Sequence, residues 1–327
     1  MKSKPMTKFA ILTLSLILVA CAGGGSEEAG CPAIDGREIN VVATTPMIGE
    51  FVSQVGGENI NLTVLMPPEA NPHTYEPAPQ DAGTIAEADL VFYTGLLYEP
   101  AALVKLLENS ACSTDILSEV GESVFPIEFK EGGHDDHDDE EGHDDHEGHN
   151  HGAYDPHFWF DPSRVAYAAE YIESRLIQFD PENESSYTSS ADSFVSELND
   201  LTKQVSELIS TVPSQNRKLI TTHESLGYLE AKFGLEVLST IIPSLNSANE
   251  ISPSDLAGVI DVIEDNNVKV IFIESEAPSV YSETIVAETG IKPVTGLYVE
   301  TLKPGQSYSE FLISNVTLIT ENLQDTD

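Results

Sequence analysis

Histidine is the residue whose distribution promises chemistry in this chain of 327 residues. Six of its nine histidines, His134, His137, His143, His146, His149 and His151, crowd into 130–152 among Asp, Glu and Gly. Dense imidazole beside carboxylate is a composition that binds zinc, nickel or copper. The tract has no apolar side chain whose burial would offset the entropy of ordering it, which predicts a mobile loop. An acidic loop that merely solvates itself has no reason to hold most of the histidines. The other three, His73, His157 and His223, stand apart. Three neutral imidazoles with one carboxylate make a closed tetrahedral zinc site. Glu300 is the candidate carboxylate, with Glu274 and Glu276 as rivals.

Each isolated histidine falls where a loop is expected. His73 lies in Asn71-Pro72-His73-Thr74-Tyr75-Glu76-Pro77 and His223 directly follows a β-branched run. His157 lies in Asp155-Pro156-His157-Phe158-Trp159-Phe160-Asp161-Pro162, where two prolines bracket an aromatic cluster and oppose a continuous helix or central strand. Trp159 and Tyr298 are placed to exclude water from such a site or simply to pack a core. A zinc hydrolase is the competing reading, since an open fourth position would activate water. His223-Glu224-Ser225-Leu226-Gly227 begins like the metalloprotease helix motif, but Gly227 stands where its second histidine must fall. No nucleophile elbow or phosphate-cradling glycine loop accompanies it.

The elements that must position these residues alternate between short β-branched runs and amphipathic segments, the pattern of parallel sheets covered by helices. Strands are expected at Ile39–Ala43, Ile60–Leu65 and Ala88–Tyr93, with a fourth near Ser123–Glu128. A second set is expected at Lys218–Thr222, Leu235–Ser239, Val268–Glu274 and Pro293–Tyr298, with a helix over Pro253–Asp265. Between the sets, Tyr187, Ala191, Phe194, Leu198, Leu201, Val205 and Leu208 recur at spacings of four and three. This predicts one long helix from near Pro181 to just before Pro213, spanning roughly 45 Å; a coiled-coil seam is the other reading of the heptad. The expected class is α/β: two lobes, each a parallel β-sheet flanked by helices, joined by one long spanning α-helix. Ligands of open parallel sheets bind beyond the carboxyl ends of the strands, so His73 and His223 can converge.

At the amino end, Lys2, Lys4 and Lys8 precede an apolar run from Phe9 to Ala20, the pattern of a secretory signal and too short to span a bilayer. It ends in Leu18-Val19-Ala20-Cys21, which resembles the bacterial lipobox, with Cys21 the acylated residue. The expected organisation is a signal over 1–21, a tether over 22–36, an N-terminal lobe over 37–180, a linking helix over 181–213 and a C-terminal lobe over 214–327. Cys31 and Cys112 then remain, a candidate disulfide in an oxidising compartment; two free thiols are the alternative. A net charge of −40 excludes nucleic acid as a partner and opposes docking to anionic lipid. Only ten of the 55 acids lie in 131–151, so most of the surplus lies elsewhere, and the scarcity of Lys and Arg fits a saline habitat.

Taken together, the segments from Asn71, from Asp155, Thr221-Thr-His-Glu-Ser-Leu-Gly-Tyr228 and Leu297-Tyr-Val-Glu-Thr-Leu302 resemble the cluster A-I metal-binding lipoproteins of ATP-driven zinc and manganese importers. The resemblance covers nearly the whole chain after the signal. It implies two α/β lobes joined by a long helix, a metal held between them, and an extracytoplasmic monomer tied to the membrane by lipid and serving a cognate ABC permease and its ATPase. Carried over by position, His73, His157 and His223 are ligands, and Glu300 stands where the family usually has Asp. That departure leaves open whether Glu300 or a water is the fourth ligand. Histidine at the third position, and the His-rich loop before the second, are more like the zinc members; manganese is the second choice. A surface zinc buffer or adhesin is the alternative role. Histidine ligation predicts that binding weakens as pH falls through about 6.5.

Overall fold

The computed structural model describes residues 31, 33–34, 36–129, 154–276 and 280–324. The apolar amino-terminal segment with Cys21, and the six histidines from His134 to His151, lie outside the described residues.

The first sheet contains β1 (Ile39–Ala43), β2 (Ile60–Val64), β3 (Leu90–Tyr93) and β4 (Leu117–Glu119), all parallel, in the order β2-β1-β3-β4. Its central strands are apolar almost without interruption because both faces are covered. Crossovers run through α1 (Pro46–Gly56), α2 (Pro79–Ala86) and α3 (Ala101–Ser110). Thr45 starts α1 by accepting a hydrogen bond from the Ile48 amide at 3.2 Å, with Pro46 in the first turn. The second sheet repeats the winding with β5 (Lys218–His223), β6 (Glu236–Ile242), β7 (Val270–Glu274) and β8 (Lys292–Leu297) in the order β6-β5-β7-β8. It is wrapped by α6 (Gly227–Phe233), α7 (Pro253–Asn266), α8 (Val280–Thr289) and α9 (Tyr308–Gln324).

The fourth strand is not where the sequence pattern placed it. Residues 121–124 form a 3-10 turn that ends in left-handed Phe125 (φ 52°), and Pro126 has no amide to give a ladder. Glu128 makes only an isolated antiparallel bridge to Tyr154. The strand that pairs with β3 lies earlier, and its Ser118 is fully buried and accepts a hydrogen bond from Arg175 Nε at 2.8 Å.

Two helices, α4 (Pro162–Phe179) and α5 (Glu184–Ser210), lie between the sheets in the chain. A 3-10 turn over Pro181–Asn183 precedes α5, whose 27 residues reach about 40 Å, somewhat shorter than expected. It packs against α1 and α4 of the first half of the chain and α6 and α9 of the second, so it is a spine along both lobes. The buried stripe runs Tyr187, Ala191, Phe194, Leu198, Leu201, Val205 and then Ile209. Leu208, the heptad position, is only partly buried. A straight helix has 3.6 residues per turn and slips past a strict heptad by about 20° per heptad, so after three heptads the inward position moves on by one. One continuous core joins this stripe to the inner faces of both sheets, from Ile39 and Leu90 to Phe272 and Leu297. Separate clusters fill the outer layers around Val91 and Leu103 and around Ile271 and Ile285. Cys31 and Cys112 are joined by a disulfide, with Cα atoms 5.0 Å apart, which ties the segment before β1 to the end of α3.

Candidate metal centre

In each sheet the chain winds first to one side of its opening strand and then to the other, so a crevice opens beyond the carboxyl ends of β1 and β3 and of β5 and β7. Such crevices are where open parallel sheets bind ligands. The two face one another, and His73, His157, His223 and Glu300 meet there.

His73 sits in a 3-10 turn over Pro72–Thr74 beyond β2, its amide donating to Asn71 Oδ1 at 2.9 Å. Asn71 Nδ2 in turn reaches Ser247 Oγ at 3.0 Å, fixing this turn to the second lobe. His157 precedes the turn Phe158–Phe160, where the flanking prolines stop any longer element. His223 is the last residue of β5, and Glu300 lies just beyond β8. The side chains of all four are essentially sealed from solvent, none more than 2% exposed.

Their geometry converges on a point. Glu300 Oε1 lies 3.1 Å from His73 Nε2 and 3.0 Å from His223 Nε2, and Oε2 lies 3.4 Å from His157 Nε2. One donor atom from each of the four residues can be chosen so that all lie within 4.8 Å of one another. Zinc bonds of about 2.0–2.1 Å in a tetrahedron space their donors about 3.4 Å apart. The three imidazole-to-carboxylate separations therefore suit a small ion. None of the three Nε2 atoms, nor Glu300 Oε1, makes a hydrogen bond, although all are buried. Buried polar atoms are normally paired, and four that are not, aimed at one another, are arranged to receive a cation.

For His157 and His223 the other ring nitrogen settles which face of the imidazole points inward. His157 Nδ1 lies 2.8 Å from Asp155 Oδ1, which also accepts the His157 amide at 2.8 Å. His223 Nδ1 lies 2.5 Å from Glu274 Oε2, and its amide donates to Glu274 Oε1 at 3.2 Å. A carboxylate behind each ring holds the proton on Nδ1, leaves the Nε2 lone pair for metal and raises its basicity. For His73 Nδ1 no hydrogen-bond partner occurs among the described residues. Glu274 is thus an orienting group behind His223. Glu276 Oε1 accepts the Glu300 amide at 3.3 Å. Neither rival joins the ring of four.

At His157, His223 and Glu300, charge and burial oppose one another. Burial by itself depresses His157, but the carboxylates of Glu300 and Asp155 outweigh it and lift the pKa to about 9. The same contest, with Glu274 and Glu300 as the charges, raises His223 well above its usual value. Burial alone would raise Glu300, yet the three imidazoles hold it well below the usual carboxylate range. Glu276 has no such rescue, and burial together with the nearby charge of Glu300 pushes it up to about 8.

An aromatic wall closes the crevice. The Tyr98 ring meets His73 edge-on at 5.0 Å, and Trp159 meets His157 at 5.5 Å. Trp159 Nε1 donates to the Val299 carbonyl at 2.8 Å and its own carbonyl accepts the Tyr308 hydroxyl at 2.7 Å, so the wall also stitches the lobes together. Tyr298 takes no part, lying instead under Lys303 Nζ at 4.2 Å. Gly227 explains itself here. A Cβ at that position would stand 2.7 Å from Asp155 Oδ2, so the small residue makes room for the carboxylate behind His157. Asp155 and Tyr98 were missed as supporting residues in the sequence; for Asp155 the signal was its place two residues before His157.

Two α/β lobes with a buried cation site between them define a substrate-binding protein for a metal ion, the component of an ABC importer that first takes the ion, and not an enzyme. The chain belongs to the family described as zinc-uptake complex component A, periplasmic (ZnuA), whose model matches residues 41–322. The high-affinity zinc uptake system protein ZnuA of Bacillus subtilis is 29% identical over 325 residues, 96% of each chain. The manganese ABC transporter substrate-binding lipoprotein PsaA of Streptococcus anginosus is 28% identical over 330 residues, 98% of this chain and 99% of that protein. Among solved structures, the periplasmic zinc-binding protein TroA of Treponema pallidum shares the fold with a TM-score of 0.76 at 22% identity, covering 88% of this chain and 99% of that one. Fe(III)-bound YtgA of Chlamydia trachomatis matches with a TM-score of 0.74 at 26% identity, covering 87% and 98%.

Proposed function

We propose that this chain is the high-affinity zinc-binding component of its importer, with His73, His157, His223 and Glu300 as the ligands. The observation that carries the reading is the convergence of three buried Nε2 atoms, none of them hydrogen-bonded, on one carboxylate. Three nitrogen donors with one carboxylate suit zinc, a borderline ion at ease with four ligands, better than manganese, which favours oxygen. Manganese is the second reading, favoured by relatives named for manganese at the same level of identity as those named for zinc.

Cys21 is proposed as the lipid anchor, and the chain acts outside the cytoplasm as a monomer that docks on a permease coupled to its ATPase. The tract from His134 to His151 acts as a weak, multivalent collector that raises the local concentration of metal near the crevice. The test is metal binding by a chain lacking 131–151, alone and with His223→Ala. A transporter component keeps one tight site after the deletion, whereas a surface buffer loses nearly all its capacity.

A further inference from the structure

The two oxygens of Glu300 are not equivalent. Oε1 is buried and makes no hydrogen bond, and stands 3.1 and 3.0 Å from the Nε2 atoms of His73 and His223. Oε2 accepts the hydroxyl of Tyr98 at 3.0 Å, and the same hydroxyl lies 3.0 Å from the Glu300 carbonyl. Tyr98 is almost wholly buried. We propose that Tyr98 is a specificity-determining residue: by donating to Oε2 it draws one carboxylate oxygen away from the metal, leaves Oε1 as the single strong oxygen donor, and so favours four-coordinate zinc over manganese. The inference rests on the zinc-binding reading above and deepens it.

Glutamate gives this restraint its purpose. A free carboxylate grips a metal through one oxygen or two, and the longer side chain leaves it room to turn either way. Five donors, three nitrogens and both oxygens, move the site toward ions that accept more ligands and more oxygen. A proton donor fixed on Oε2 competes with the metal for that oxygen's electron density, and a hydrogen bond to a charged group is among the stronger ones.

The chain fixes Tyr98 firmly. Gly95, Leu96 and Leu97, immediately before it, are all left-handed, with φ of 75°, 53° and 65°. Two consecutive leucines in that region are strained and persist only where surroundings hold them. Here two carboxylates do so. Glu99 accepts the amides of Thr94 at 2.7 Å and Gly95 at 2.9 Å and the Thr44 hydroxyl at 2.7 Å, while Glu119 Oε1 accepts the Leu96 amide at 2.9 Å. The Tyr98 amide closes the turn on the Gly95 carbonyl at 2.9 Å. Leu97 is left 80% exposed, and the turn delivers Tyr98 inward onto Glu300.

The test compares wild type, Tyr98→Phe and, as a control that also loses a buried hydroxyl, Tyr187→Phe, whose hydroxyl bonds Asp180 at 2.7 Å on the spine. Zinc and manganese affinities are measured by competition, and cobalt(II) is used as a spectroscopic probe, since four-coordinate cobalt absorbs visible light far more strongly than five- or six-coordinate cobalt. Tyr98→Phe is expected to weaken the cobalt bands several-fold and to raise manganese affinity relative to zinc on the order of tenfold. Tyr187→Phe leaves both as in wild type. An unchanged spectrum and ratio in Tyr98→Phe, or equal changes in the two variants, overturns the proposal. A wild-type protein that binds both ions alike overturns the zinc reading, but the difference between variant and wild type still decides the role of Tyr98. Binding of none of the three ions overturns both.

Discussion

At the scale of residues, the site is an ionic cluster that a metal must take apart. In the metal-free protein, His157 has its pKa raised to about 9, against an ordinary value of about 6.5, because the charges of Glu300 and Asp155 outweigh burial. The sign follows from linkage. A raised imidazole stabilises the folded, metal-free protein fully below the unfolded pKa, and that contribution is lost as pH rises through about 9. Metal binding runs the other way, because the ion displaces those protons. Thermal melts from pH 6 to pH 9, with and without zinc, should therefore show the metal-induced gain in midpoint growing with pH. A gain that shrinks over this range contradicts histidine ligation. The window lies above the value expected from free histidine, and the reason is the carboxylates behind the rings. The three histidines were legible in the sequence because Pro, Gly and aromatic neighbours marked their loops. Glu300 stood among three candidates until β7 and β8 were paired and Glu274 fell behind His223. Tyr98 carried no signal, since nothing in Leu97-Tyr98-Glu99 says that a left-handed turn aims the ring across the crevice.

At the scale of elements, apolar period carried most of the reading. Seven of the eight strands lie within a few residues of their β-branched runs, and the central ones, β1, β3, β5 and β7, are clearest because strands buried on both faces have few other ways to look. The fourth failed because Val124-Phe125-Pro126-Ile127 is apolar for a different purpose. Phe125 is exposed and packs edge-on with Tyr167 at 5.1 Å, and Val124 is buried from a 3-10 turn. The spine shows the same limit more finely. A heptad template selects Leu208, whereas the straight helix buries Ile209, and sequence spacing alone does not reveal whether a helix supercoils. The difference is measurable. Leu201→Ala, deep in the stripe, should cost about 2–5 kcal/mol in denaturant unfolding, and Leu208→Ala distinctly less. Equal costs would mean that the seam follows the heptad after all.

At the scale of the whole molecule, a single core runs through both lobes and the spine, so the crevice is framed by one continuous body. The full chain carries a net charge of −40 with only 15 Lys and Arg, most of the surplus lying outside 131–151, and the compact state repels itself. Raising salt from about 0.1 M to 1 M shortens the screening length from about 10 Å to about 3 Å, so the melting temperature should rise with salt. A fall would argue against the saline-habitat reading. The proposed tight site is formed by three separated histidines and one glutamate, apart from the weakly collecting His-rich tract. It is tested most directly by equilibrium zinc and manganese competition on the chain lacking 131–151 and on the same chain with His223→Ala. One tight site that prefers zinc, surviving the deletion and lost with His223, is the result predicted. Loss of tight binding with the tract, or tight binding that survives His223→Ala, would contradict it.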